Sequence, residues 1–363
     1  GGPLGGAFGV TKAGGATLTL SGTNTFTGAA TVNGGTLILG GGSAIADTAA
    51  VTVNGAGTLK LAANEAIGPL SGAGAVDLQT NTLTVGGTGA TTYSGAMTGG
   101  GSLVKGNTGT LTLSGTNAFS GGTTVSSGTL LVTNDSALGT GTLAMNGGKM
   151  SSSSTTGLNF ASNGLSFGGV STLGDATNNG ALTFGGLGSV TANSSVTVDS
   201  ALTVGALNLQ TYGLVITANA AVVLGGVISG SGTLTKAGSA DMTVAGPNAF
   251  SGGTTVNAGK VRVGSDSALG SGQVTMNTGS VLTSDGASIR TLSNGYTLGG
   301  SVTFGHATDN GALTLSGAGT LSTDVTLTAD SGLTLSGIVG GTGKLTKVGA
   351  GALTLKGVNT FSG

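Results

Sequence analysis

The side chains that most often carry acid–base or nucleophilic chemistry are scarce in this chain. Its 363 residues include one histidine, His306, and no cysteine. A Ser–His–Asp arrangement could be drawn around His306, because Asp309 follows it and serines are plentiful. The equivalent position one repeat earlier holds Asp175, so this position accepts an unrelated side chain. We therefore expect His306 to lie in a surface turn and predict no catalytic residue.

The acidic residues are too dispersed to predict a hydrolase or a metal site. Glu65 is the single glutamate, and the eleven aspartates stand alone, including Asp135 and Asp266, which recur at equivalent repeat positions. Enzymes that cleave polysaccharides on a β-helix need clustered acids, sometimes with calcium. The segment 340–344, GGTGK, is similar to a phosphate-binding loop, but Leu345 stands where serine or threonine is required. Neither a metal ion nor a cofactor is predicted.

The overall composition excludes several further classes of protein. Charged residues make up 6% of the chain and the net charge is −1, which argues against a nucleic-acid-binding surface. No apolar stretch approaches the length that a membrane-spanning helix needs. Glycine is unusually common, with 77 residues, yet short apolar triplets recur regularly between the glycines. This placement predicts a folded, repetitive structure.

One sequence block recurs four times. It begins at Val10, Leu103, Leu234 and Leu345, and the last copy stops at Gly363. Each copy contains a lysine, then an asparagine at the twelfth position after it, and a phenylalanine at the second position after the asparagine. These repeated positions are Lys12, Asn24 and Phe26; Lys105, Asn117 and Phe119; Lys236, Asn248 and Phe250; and Lys347, Asn359 and Phe361.

The distances between the copies predict stacked coils. The four repeated lysines are separated by 93, 131 and 111 positions. Ordered by length, these intervals differ by 18 and 20 positions. The segment 99–188 aligns without a gap on 230–319, and the extra residues fall near Leu207–Leu224. An insertion of this size indicates one complete coil. We therefore interpret the intervals as five, seven and six coils, each of roughly 18–20 residues.

The local pattern predicts strands. Thr110–Leu113 alternates polar and apolar residues and is followed by Ser114 and Gly115, which is typical of a strand that ends in a turn. No segment has the apolar period of a helix. An all-β coil of this length predicts a parallel β-helix, a β-solenoid in which each coil stacks on its neighbours.

At this level of detail the repeat resembles a known family. The pattern LTKxGxGTLTLSGxNxFSGGTTVxxGTL, best matched at positions 103–132 and 234–263, resembles the passenger-associated repeat of bacterial autotransporters, the type V secreted proteins. The first copy departs from it at Thr27, Ala29 and Ala30, and the third at Met242 and Pro247. The resemblance covers about a third of the chain. It implies a right-handed parallel β-helix that is displayed or released outside the bacterial cell, and it brings no catalytic residues.

The repeated residues have structural and functional interpretations. We expect the lysines to lie in solvated turns; a row of them that docks a partner or an anionic glycan is the alternative. The asparagines are expected to satisfy backbone groups in turns, and the phenylalanines to fill corners of the coil.

These observations predict one continuous solenoid over positions 1–363, with repeat units at about 12–104, 105–235, 236–346 and 347–363, as a section of a longer array. We expect an extracellular structural fibre or stalk of a bacterial surface or biofilm matrix, which self-associates laterally or head to tail because charge is so scarce. One alternative is an adhesin spacer whose binding tip lies outside this chain, with surface glycans as possible partners. A polysaccharide-active surface enzyme is the other.

Overall fold

A computed structural model of the chain describes residues 3–363, and the chain divides into two compact units, residues 1–186 and residues 187–363. Within residues 3–363 the regular structure consists of short strands, without a helix. No helix long and apolar enough to cross a membrane is found among these residues. In each unit the strands pair in parallel with strands one coil away, so the all-β solenoid prediction is confirmed. The single solenoid over residues 1–363 and the right-handed coil stay predictions.

The first unit contains three stacked sheets and two smaller pairs of strands. Sheet 1a consists of Val10–Lys12, Ala30–Val32, Val51–Val53, Leu70–Gly72, Ala90–Tyr93, Thr110–Leu113, Thr129–Val132, Lys149–Ser152 and Val170–Leu173. Sheet 1b consists of Thr17–Leu20, Gly35–Leu39, Gly57–Leu61, Ala75–Asp77 and Met97–Thr98. Sheet 1c consists of Glu65–Ile67, Thr82–Val85, Ser102–Lys105, Thr123–Val125, Leu143–Met145 and Leu165–Phe167. The remaining pairs are Gly5–Gly6 with Thr25–Phe26 and Leu158–Phe160 with Leu182–Phe184.

The second unit repeats this arrangement with longer strands near its end. Sheet 2a consists of Ser194–Val198, Leu214–Ala218, Leu234–Ala237, Thr254–Val256, Val274–Met276, Tyr296–Phe304, Gly319–Ala329 and Val339–Gly341. Beside it, sheet 2b consists of Leu202–Val204, Val222–Leu224, Met242–Val244, Gly259–Val263, Ser280–Ser284 and Leu345–Val348. The two long strands of sheet 2a bend so that their second halves pair within sheet 2b. The third face is formed by Gly188–Ser189, Leu207–Asn208 and Ile228–Ser229, and by Arg290–Leu292, Leu313–Leu315, Leu333–Leu335 and Leu353–Leu355.

The alternation read from the sequence places the core. Along Thr110–Leu113, Leu111 and Leu113 are buried while Thr112 points outward and is partly exposed. The same buried–partly exposed–buried pattern holds in most three-residue strands. In Val51–Val53, Leu313–Leu315 and Leu333–Leu335, leucine or valine lies inside and threonine outside. Since successive side chains of a strand point to opposite faces, one apolar residue from each side of the coil meets the others in a narrow interior. Aliphatic residues dominate this core because three faces converge on it.

The observed coils vary around and above the predicted length, from 17 positions where Thr58 pairs with Ala75 to 25 where Gly300 pairs with Val325. Thr11 pairs with Thr31 and Thr235 with Thr255, and the coil is longer where Leu158 pairs with Leu182. The interpretation of the repeat spacings as whole numbers of coils is wrong. Sheet 1a places Val32, Val53, Gly72 and Tyr93 on successive coils after Lys12, whereas Lys105 lies beyond Tyr93 in a different sheet, 1c.

The second unit shows the same offset. Sheet 2a places Val256, Met276, Leu298, Leu321 and Gly341 on successive coils after Lys236. Lys347 lies in the strand that follows Gly341, and it pairs with Leu327 instead of with the Lys236 column. Within each unit, successive copies of the repeat therefore begin on different faces of the coil.

Candidate functional site

The repeated lysines lie inside the coil. Lys105 and Lys236 are 1% and 0% exposed, and Lys12 is 5% exposed. The Nζ atom of Lys236 donates hydrogen bonds to the carbonyl oxygens of Ala237 at 2.9 Å, Gly238 at 2.7 Å and Ala258 at 3.1 Å. The first two carbonyls belong to the end of the lysine's own strand and to the turn that follows it, and the third belongs to the next coil. The ammonium group thus ties two consecutive turns together.

The first and second copies repeat this arrangement of one lysine and three carbonyl oxygens, which we call the lysine clamp. Lys12 Nζ donates to the carbonyl oxygens of Ala13, Gly14 and Gly34 at 2.7–2.9 Å, and Lys105 Nζ to those of Gly106, Asn107 and Ser127. Lys347 is exposed and donates to Gly349 at 2.5 Å. The prediction of solvated lysines is therefore wrong for Lys12, Lys105 and Lys236, because turn carbonyls take the place of water around each ammonium group.

Burial has an electrostatic cost for these lysines. It lowers the pKa of Lys236 to about 8, although the nearby Asp241 acts in the opposite direction. Burial also lowers the pKa of Lys105. A buried ammonium group is tolerated only when its hydrogen bonds are satisfied, and three carbonyl oxygens match its three donors.

A glycine of the next coil completes each clamp. Gly128 and Gly259 have φ values of 68° and 70°, a conformation that other residues adopt only with strain. A Cβ atom added to Gly128 would lie 2.8 Å from Lys105 Nζ, and one added to Gly259 would lie 2.9 Å from Lys236 Nζ. Each of these glycines lies one coil beyond its lysine, so the pairing of the two residues becomes visible only once the coil length is known.

The repeated asparagines connect three coils. Asn117 Oδ1 accepts a hydrogen bond from the backbone N–H of Met97 at 2.8 Å, and its Nδ2 donates to the carbonyl of Ala137 at 2.6 Å. Asn248 makes the same two bonds, to Ile228 and Ala268, which lie on the preceding and the following coil. Asn24 also accepts from one coil and donates to the other, while Asn359 accepts from Val339 N–H.

The repeated phenylalanines fill the interior next to these asparagines. Phe26, Phe119 and Phe250 are fully buried, and Phe361 is partly exposed. Gly139 and Gly270 lie against the rings of Phe119 and Phe250, where an added Cβ would approach ring carbons to 3.0–3.1 Å. These glycines end the DSALG segments that recur in the sequence, so the segment supplies the space that each ring needs.

Single acidic residues cap strands of neighbouring coils. Asp135 Oδ1 accepts from Asn159 N–H at 2.8 Å, and Asp266 Oδ1 accepts from Thr291 N–H at 3.0 Å. Burial alone would raise the pKa of Asp175, but hydrogen bonds from Asn178, Lys149 and Thr177 hold it below its ordinary value. The isolated aspartates thus serve as acceptors for backbone and side-chain donors.

Glu65 is a buried member of the same set of caps. It is 2% exposed, and its two carboxylate oxygens accept from Ala44 N–H at 3.2 Å and Ile45 N–H at 2.7 Å. Burial raises the pKa of Glu65, a shift that the two N–H donors oppose and that Asp47 reinforces. The composition alone gave no sign that the single glutamate lies in the interior.

One cluster of charges was missed by the sequence analysis. Lys260 Nζ lies 3.1 Å from Asp241 Oδ2 and 3.3 Å from Asp309 Oδ2. Arg262 contacts the same two carboxylate oxygens, each at 2.9 Å. His306 Nδ1 is 3.8 Å from Asp309 and forms a 3.1 Å hydrogen bond with Thr308 Oγ1. Lys260 and Asp309 are far apart in the sequence, so their proximity can be predicted only when the lengths of the intervening coils are known.

The charge cluster has the chemistry of an ion-pair network. A glycosidase needs one carboxylic acid that donates a proton and one free carboxylate. Here two cations occupy both carboxylates, and Asp309 is almost completely buried. No group of three or more potential metal-binding side chains lies together within residues 3–363. We therefore interpret the cluster as a set of ion pairs that holds the loop after Phe304 against earlier coils.

A family model described as passenger-associated-transport-repeat matches residues 10–39, 103–132, 234–263 and 345–363. The four repeated blocks of the chain are therefore passenger-associated-transport-repeats. Each matched segment contains one lysine, one asparagine and one phenylalanine of the repeated set. Together with the β-solenoid, the repeats are consistent with an autotransporter passenger domain. No curated protein and no solved structure matches the chain.

Replacing a clamp lysine is expected to destabilise the protein. Lys105→Met and Lys236→Met keep the length of the side chain but leave carbonyls of two turns without their donor. We expect each to lower the free energy of unfolding by about 1–3 kcal/mol, measured by guanidinium denaturation. Lys344→Met, at an exposed lysine, is the matched control and should change stability by less than about 0.5 kcal/mol. Equal effects at the three positions would show that the clamp does not stabilise the repeat.

The steric requirement for glycine beside the clamp can be tested separately from the requirement for a positive φ. Gly14 and Gly128 have φ values of 70° and 68°, but an added Cβ meets nothing within 4 Å at Gly14, whereas at Gly128 it collides with the carbonyl oxygen of Asn107. Gly14→Ala should cost about 1–2 kcal/mol for the left-handed conformation. Gly128→Ala should cost about 1–3 kcal/mol more, for the collision. Thermal melts of the two variants that coincide would exclude a steric role for Gly128.

The buried glutamate should make stability depend on pH. Since the pKa of Glu65 is raised above its ordinary value of 4.5, the folded state keeps its proton at pH values where the unfolded chain has lost it. The wild-type protein should therefore lose stability relative to Glu65→Gln as the pH rises above that ordinary value. Urea denaturation at several pH values measures this difference. A difference that is constant with pH would contradict the burial cost assigned to this carboxyl.

Proposed function

We propose that this chain is a structural section of a secreted or surface-exposed bacterial passenger, working as a fibre or stalk. Passenger-associated-transport-repeats imply an extracellular location. The observation that carries the structural role is that the polar residues of the repeat are occupied inside the coil. The lysine and the asparagine direct their donors and acceptors to backbone groups of neighbouring coils. A motif whose polar groups are occupied in this way supports stacking, not recognition.

The outward surface supports the same role. In the second unit the outward position of sheet 2a is threonine on five consecutive coils: Thr235, Thr255, Thr275, Thr297 and Thr320. Hydroxyl groups of threonine carry no charge that pH could change or salt could screen. A surface made of them therefore keeps its properties when pH or salt concentration changes. A scaffold outside the cell, where ionic conditions vary, benefits from such a surface.

An enzymatic role fits less well with the charge cluster. Asp241 and Asp309 lie near each other, but Lys260 and Arg262 contact both carboxylates. The adhesin spacer remains compatible with the proposal, because a spacer is a stalk whose binding tip lies on another segment.

Electron microscopy of the native material tests the fibre form of the proposal. We expect regular filaments at physiological salt that persist at about 1 M NaCl, because uncharged contacts are not weakened by screening. Single thin particles at both salt concentrations would exclude the fibre and leave the stalk. Filaments that dissolve in high salt would show that charged contacts hold them. Release of sugars from bacterial polysaccharides, abolished by Asp309→Asn, would overturn the structural role altogether.

A further inference from the structure

The coil that distinguishes the second repeat unit from the third has unusual outward side chains. This inserted coil is the one near Leu207–Leu224, which has no counterpart in the otherwise gapless alignment of 99–188 on 230–319. In sheet 2a, Val215 lies between Ser195 and Thr235. In sheet 2b, Val223 lies between Thr203 and Thr243. The inserted coil thus presents valine at two positions where the neighbouring coils present a hydroxyl.

An apolar ridge continues this feature along one corner of the second unit. Strands Gly188–Ser189, Leu207–Asn208 and Ile228–Ser229 stack in register, and the residue before each is Leu187, Ala206 or Val227. Asn248 bonds to Ile228 N–H, which places Pro247 on the next coil of the same corner. The corner ridge is therefore Leu187, Ala206, Val227 and Pro247, and each residue follows a glycine.

The ridge is open to solvent. Leu187 is 68% exposed and Val227 is 47% exposed, while Ala206 is partly exposed and Pro247 is exposed. Single exposed apolar residues need no explanation, but a continuous row on four coils marks an interaction surface.

The sequence around the centre of the ridge carries no charge. The segment 200–235 contains no Asp, Glu, Lys, Arg or His, and the next lysine, Lys236, is fully buried. Two copies of this surface can approach each other without like-charge repulsion. A partner recognised by charge has nothing to bind here, so the surface favours an occupant that is itself uncharged and apolar, as this chain is.

The profile of the ridge is complementary to itself. Ala206 forms a notch between the larger Leu187 and Val227, at about 4.8 Å per coil. When two ridges meet antiparallel about a twofold axis between Ala206 and Val227, each valine faces the alanine of the other copy, and each leucine faces Pro247. A twofold interface requires this kind of self-complementarity.

We propose that the corner ridge Leu187, Ala206, Val227 and Pro247 docks a second copy of this chain, in antiparallel orientation. The inference rests on the proposed structural function and names the surface through which copies associate laterally. Four coils span only about 14 Å, which is below the size of a standard stable interface. Association of the isolated chain is therefore weak, and filaments gain strength by making many such contacts at once.

Cross-linking tests the position of the contact, because the chain has no cysteine of its own. Val227→Cys introduces one thiol on the ridge, and Val170→Cys introduces one at a valine of the first unit that is more exposed, at 77%. With a short bis-maleimide, Val227→Cys should form covalent dimers at least about tenfold faster than Val170→Cys at the same concentration, as expected for preorganised thiols. Equal rates would overturn the proposed ridge contact.

Sedimentation equilibrium tests the energetics with charged variants of the same two positions. The wild type and Val170→Asp should self-associate equally, whereas Val227→Asp should weaken association by at least about tenfold, because it places two carboxylates at a desolvated contact. Circular dichroism verifies that both variants keep the β structure. A wild type that stays monomeric at about 1 mM overturns the docking surface but leaves the stalk function standing. Unimpaired association of Val227→Asp overturns the ridge and moves the contact to another face.

Discussion

In a stack of coils the ladder of backbone hydrogen bonds runs through the strands and into parts of the turns, and the N–H and C=O groups that it misses at the corners need other partners. Buried polar groups without partners are costly, so each corner needs its own solution. The chain solves this with side chains that reach from one coil to the next. Lysine supplies donors to turn carbonyls, asparagine accepts from one neighbour and donates to the other, and Glu65 and the aspartates accept from N–H groups.

This constraint also explains the composition. A lysine clamp requires room for the ammonium group against the backbone of the next coil, and glycine is the residue that leaves this room at a positive φ. Few charged side chains remain besides those that bind backbone groups. The largest group of them, around Lys260 and Asp309, consists of cations and carboxylates that form ion pairs with each other. The surface that remains is made mostly of hydroxyl and small residues. Scarcity of charge and abundance of glycine are thus two results of the same way of stacking coils.

The fold was predictable from the sequence because it depends on local patterns. Alternation in segments such as Thr110–Leu113 predicted strands, and repetition predicted stacking. The environment of Lys105 was not predictable, since a lysine next to a glycine-rich turn is usually solvated and only the register shows that it points inward. The charge cluster was missed for a related reason. Lys260 and Asp309 are neighbours only when the intervening coils have the lengths that the structure gives them.

The offset between repeat and coil has a consequence for how such a chain can change. A duplicated segment that is not a whole number of coils moves every later residue to a different face of the coil. Here Lys12 and Lys105 begin their repeats on different sheets of one unit, yet both ammonium groups find equivalent carbonyls. The faces of the coil are therefore interchangeable hosts for the same sequence. A duplicated segment can therefore add a fractional number of coils, because the next face of the coil accepts the same repeat.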